Sequence, residues 1–165
     1  MIRVQTEDFD IGQEIEALRQ DSSGKDRTDI GAIVTFTGTV RDALRESDGE
    51  NADQITSMTL EHYPGMTEKE LARIEEEAHA RWPLQASLIV HRVGRLEPGD
   101  NIVLVVTASA HREAAFEAAR FLMDYLKTAA PFWKRESGPE GDRWVDAKES
   151  DDQAAARWSR NGDRA

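Results

Sequence analysis

Cysteine is absent from all 165 residues, which removes disulfides, thiolate nucleophiles and cysteine-ligated zinc or iron-sulfur centres together. No apolar run comes near the roughly 18 residues of a membrane span. The N-terminal "MIRVQTEDFD" lacks the basic and apolar segments of an export signal. The expectation is a soluble, cytoplasmic protein. There is no G-x-x-x-x-G-K-S/T, no G-x-G-x-x-G and no G-x-S-x-G, so neither a phosphate-cradling loop nor a serine elbow is indicated. The four histidines (His62, His79, His91 and His111) never stand four apart or in H-E-x-x-H. A metal site would need three distant segments to converge, and none is expected. A formal charge of -11 with no basic stripe argues against nucleic acid as a partner. Catalysis, if present, must run on lysine, arginine, histidine and carboxylates.

Between two polar stretches at 19–29 and 41–54, and beyond them, the pattern mixes strands with helices. Both polar stretches read as loops, the second as mobile. "GAIVTFTGTV" (31–40) alternates Ala32, Val34, Phe36 and Val40 against Thr35, Thr37 and Thr39, the period of a half-buried strand. "ITSMTLEHY" (55–63) reads as another, ended by Pro64-Gly65. Thr67 and Glu70 form a capping box for a helix whose apolar face is Leu71, Ile74, Ala78 and Trp82. Strands at 86–94 and 101–109 read as a hairpin, the second buried on both faces. A helix over about 110–128 shows a stripe of Ala115, Phe116, Ala119, Leu122, Met123 and Leu126, ended by Pro131. A helix over about 11–19, a strand at 143–147 and a closing helix at 150–158 capped by Ser150 complete the reading. The class is α+β, with one catalytic domain over 1–158 and a flexible tail, 159–165.

Only five of the 21 basic side chains are lysines, and two of them, Lys127 and Lys134, flank a Pro-Phe-Trp corner. Lys127 lies on the helical face of Phe116 and Met123. There it either loses solvation and becomes a nucleophile or base, or lays its stem over apolar surface at a helix C-terminus. Pro131, Phe132 and Trp133 are expected to fold the chain back so that Lys134 returns near Lys127. Two such cations suit a phosphate or carboxylate between them. Alternatively, the aromatics are core and "KRE" a solvated edge.

A second anion site is read at "TASAHREAAF", with Ser109 as N-cap and His111 and Arg112 in the first helical turn. Fifteen helical steps, roughly 22 Å, separate Arg112 from Lys127. If all these residues serve one pocket, His111 and Arg112 of one chain meet Lys127 and Lys134 of another across a two-fold axis.

"FTGTVR" (36–41), "LEHYPGM" (60–66), "HRVGRLEPGD" (91–100), "SAHREAAFEA" (109–118), "MDYLKTAAPFWKRE" (123–136) and "GDRWVDA" (141–147) together resemble the large, catalytic subunit of molybdopterin synthase. The resemblance covers residues 1 to about 158. It implies an α/β-hammerhead type of α+β fold. It also implies a central homodimer that becomes a heterotetramer with two small ubiquitin-like sulfur-carrier subunits ending in Gly-Gly. The implied reaction passes two sulfurs from the thiocarboxylated carrier to cyclic pyranopterin monophosphate, with no bound cofactor. By the same resemblance Lys127 and Lys134 are the catalytic lysines. Thr39, Val40, Arg41, His111, Arg112, Arg135 and Glu136 join them around the substrate. The same residues also suit a non-catalytic scaffold that docks a Gly-Gly-ended partner, or a stand-alone lysine Schiff-base enzyme. The first would bind without turnover, and the second would be trapped by borohydride without any carrier.

Overall fold

The computed structural model describes residues 1–41, 55–139, 141–145 and 149–160. Its first sheet runs β1 (Ile2–Gln5), β4 (Leu84–Arg92), β6 (Asn101–Ser109), β2 (Ala32–Thr39) in that spatial order. β1 lies parallel to β4, and the other pairs are antiparallel. The second sheet, ordered β5 (Gly94–Leu96), β3 (Ser57–His62), β7 (Phe132–Gly138), β8 (Gly141–Val145), is antiparallel throughout. With helices α1 (Ile11–Arg19), α2 (Met66–Arg81), α3 (Arg112–Thr128) and α4 (Glu149–Arg160), the class is α+β. The expected mobile loop falls almost wholly on residues 42–54, outside the described ones.

The continuous apolar run of β6 is explained by helices on both sides of the first sheet. Val103 and Val105, with Ile89, face Leu71, Ile74 and Ala78 of α2, Phe121, Leu122 and Leu126 of α3, and Trp158 of α4. Leu104 and Val106 face the other way, onto Phe9 and the Ile11, Ile15 and Leu18 stripe of α1. Asp10 caps α1 by accepting from the Gln13 N–H at 2.9 Å. The β4 to β6 hairpin is present, but its connection carries β5 into the second sheet, where Leu96 meets Met58, Leu60 and Val40 in a third cluster.

Several local expectations move. The cap of α2 is Gly65, at φ 82, a conformation that costs glycine little. Glu68 rather than Glu70 accepts from its N–H, at 2.7 Å. Thr67 is fully buried instead, accepting from Tyr63 N–H and donating to the Pro131 carbonyl, both at 3.1 Å. The hydroxyl thus serves a tertiary contact. α4 begins one residue before Ser150, which therefore lies inside the helix, and it continues to Arg160.

On α3 the buried aromatic is Phe121, while Phe116 is 61% exposed. The two are about 140° apart around the helix and cannot share one face. Trp82 and Trp158 claim Phe121, with ring centroids 5.3 and 5.5 Å away. β1, β5 and β7 form strands where none was expected. The Pro-Phe-Trp corner is thus the entry to β7, pairing residue for residue with β3.

Candidate active site

Strand alternation decides what β7 presents. Lys134 and Glu136 face the interior beside Leu60 and Met58, their register partners on β3. With Thr39, Val40, Arg41, Ile55 and Ile102 they line a cavity of about 220 Å³. Val40 is clasped there by its backbone, its N–H donating to Asp100 (2.9 Å) and its carbonyl accepting from Gly99 (2.8 Å). That fixes where the chain delivers Arg41. Five of the residues expected around the substrate (Thr39, Val40, Arg41, Lys134 and Glu136) therefore share one pocket.

Lys134 Nζ lies 2.7 Å from Glu136 Oε1, and Arg143 approaches the same carboxylate at 3.4 Å. Burial opposes ionisation of Glu136, but the Lys134 ammonium and the Arg143 guanidinium outweigh it and hold its carboxyl below its ordinary value. Arg135, next along β7, points to the opposite face of the sheet. There it lies over the Trp144 ring at 5.7 Å and pairs with Asp142 at 3.3 Å, so it does not line this cavity.

Lys127 opens onto a neighbouring cavity of about 340 Å³, with Val34, Phe36, Phe116, Met123, Asp124 and Asp151 on its walls. Its side chain is 55% exposed, and Nζ lies 3.6 Å from Asp151 Oδ1. The expectation that Lys127 emerges from the buried stripe fails because that stripe centres on Phe121 and not on Phe116. Each of the two lysines has its own carboxylate, Asp151 for Lys127 and Glu136 for Lys134. What joins them is β2. Phe36 borders one cavity and Thr39 the other, three residues or roughly 10 Å along the same edge strand.

His111 and Arg112 stand at the far end of α3 and line neither cavity. His111, not Ser109, holds the N-cap position, so Arg112 opens the first turn. Ser109 is fully buried at the end of β6, with its hydroxyl donating to the Pro83 carbonyl at 2.9 Å. The free N–H groups and dipole of that turn still favour an anion.

Asp151, Phe36 and Phe116 belong to the pocket but were not expected there. The signal for Asp151 is faint: it stands seven residues before Trp158, hence on the same face of α4. Among the described residues no cluster of three or more metal-ligating side chains exists, and no helix is long and apolar enough to cross a membrane.

The model of the "MoaE protein" family matches residues 4–129. The molybdopterin synthase catalytic subunit of Escherichia coli K12 is 55% identical over 150 residues, covering 91% of this chain and 92% of the relative. Among solved structures, a molybdopterin biosynthesis MoaE protein from Burkholderia ambifaria superposes with a TM-score of 0.77 at 52% identity, covering 96% of this chain and 97% of that one. Molybdopterin synthase from Staphylococcus aureus gives 0.73 at 30%, covering 87% and 96%. With likeness running through both sheets and all but the chain's ends, the protein belongs to the MoaE family.

Proposed function

We propose that the chain transfers sulfur from the thiocarboxylated C-terminus of a small ubiquitin-like carrier to cyclic pyranopterin monophosphate, building the dithiolene of molybdopterin. Family membership makes it an enzyme of molybdenum cofactor biosynthesis, the catalytic subunit of a molybdopterin synthase. The observation that carries the residue-level reading is the succession of cavities along β2, with Lys127 at one and Lys134 with Arg41 at the next. An extended peptide tail laid along an edge strand spans that distance in three residues.

Lys127 contacts the terminal carbonyl of the carrier and the substrate, as acid/base or as a transient amide-forming amine. Lys134 stands where negative charge develops on the pterin side, and Glu136 with Arg143 keeps it oriented. Arg41 holds the phosphate from the same cavity. His111 and Arg112 complete the anion site from a second copy, because the length of α3 keeps them from their own Lys127. The working assembly is then a cytoplasmic homodimer with one carrier at each end. Arg135 joins substrate binding only from the outer face of the second sheet.

The test is incubation of the purified protein with thiocarboxylated carrier and cyclic pyranopterin monophosphate, read by mass spectrometry. Dithiolene formation is expected. Carrier binding without turnover would overturn the reading in favour of a scaffold.

A further inference from the structure

Resting on that reading of Lys127, we infer that Asp151 is its positioning residue, and that α4 serves to hold this carboxylate against the amine. Lys127 sits in the last turn of α3 with a flexible four-carbon stem and more than half its side chain in solvent. Left alone, such a side chain samples many rotamers. Asp151 is the more confined partner, with 23% of its side chain exposed, and its Oδ1 stands 3.6 Å from Nζ. The pair shares the cavity wall with Phe36 and Phe116. The contact therefore selects the rotamers that keep the amine at the cavity.

What confines Asp151 is the docking of its helix. Trp158, seven residues on and so on the same face, is buried against Phe121 and Trp82 at centroid distances of 5.5 and 5.6 Å. Its indole N–H donates to Asp124 Oδ2 at 2.8 Å, and Arg157 approaches the same oxygen at 3.2 Å. Asp124 precedes Lys127 by three residues, one helical turn. α3 thus offers an acid and then a base along one face, and α4 answers with Trp158 and Arg157 on the acid and Asp151 on the base. Asp124 is already engaged by α4, which leaves Asp151, among the described residues, as the carboxylate aimed at Lys127.

A half-exposed ion pair adds little to stability, so a purely structural pair would leave turnover alone. A positioning role instead shows in kcat, because small displacements of a reacting group are costly.

The experiment compares Asp151→Asn and Asp151→Glu with the wild type in two ways. In the free protein, the NMR order parameter of the Lys127 side-chain Cε should fall in Asp151→Asn and recover in Asp151→Glu. In dithiolene formation, Asp151→Asn should lower kcat about tenfold with the KM for the carrier unchanged, and Asp151→Glu should restore most of it. An unchanged order parameter or an unchanged kcat overturns the inference. A wild type that forms no dithiolene overturns the functional reading instead, and the order parameter, which needs no turnover, tells the two failures apart.

Discussion

The imidazole of His91 lies flat on the ring of Phe132, centroids 3.8 Å apart and planes 16° from parallel. The contact ties β4 of the first sheet to the first residue of β7, two positions before Lys134. Burial pushes His91 down from 6.5 to about 4, against a hydrogen bond to the Arg92 carbonyl and with His62 adding to the fall.

A pH dependence follows. The unfolded chain takes up this proton near 6.5 and the folded one near 4, so the unfolded state binds more protons in between. The contribution is whole above about 6.5 and is lost as pH falls toward 4, by an amount on the order of 3 kcal/mol. His91→Phe keeps a stacked ring without the titration. Its melting temperature should fall less steeply than the wild type's between pH 6.5 and 4, and parallel slopes would contradict the assignment.

Thr67 joins the start of α2 to the carbonyl just before β7. Thr67→Val keeps the shape but strands the Tyr63 N–H and the Pro131 carbonyl, at a cost of about 1–3 kcal/mol. Chemical denaturation should show that loss, with Thr67→Ser recovering most of it.

Gly31 leaves no room for a side chain, since a Cβ there would stand 2.3 Å from the Ala110 carbonyl oxygen. Gly31→Ala must displace the segment that delivers His111, and about 1–3 kcal/mol of destabilisation is expected. An unchanged unfolding midpoint would show that the backbone yields there freely.

Lys134→Ala removes one of two cations from Glu136 but leaves Arg143 in place. Stability should change by less than about 1 kcal/mol, while single-turnover sulfur transfer should drop about a hundredfold or more. Turnover near the wild-type rate would take Lys134 out of the mechanism.

The parts of this fold legible in the sequence are those whose residues carry a period. The unbroken apolar run of β6 and the Ile11, Ile15, Leu18 stripe each give the right element and the right buried face, whereas the alternation of 31–40 gives the strand but not its face, since Phe36 is 40% exposed and Ile33, on the side of the threonines, packs on the core. α3 was legible as a helix and in most of its buried face, Ala115, Ala119, Leu122 and Leu126, but not in its aromatic, because Phe116 and Phe121 offer competing stripes and Trp82 and Trp158 decide for Phe121. β7 hid because its inward side reads Phe132, Lys134, Glu136. Two of those three are charges that satisfy each other, and strand formation comes from pairing with β3. The grouping of Thr39, Val40 and Arg41 with Lys134 and Glu136 came from the family likeness of the motifs. Asp151 escaped because an ion pair between two helices leaves no mark in either helix's own period.

Within one chain, the roughly 22 Å of α3 between Arg112 and Lys127 leaves the proposed pocket incomplete, and the account stands on a second copy to fill it. Equal amounts of Lys127→Ala and Arg112→Ala chains, each inactive alone, should be mixed, allowed to exchange subunits and assayed for dithiolene formation. Activity returning to about a quarter of the wild-type pockets is the predicted result, since random pairing restores one pocket in each mixed dimer. Inactivity after demonstrated exchange would contradict a pocket shared between two copies.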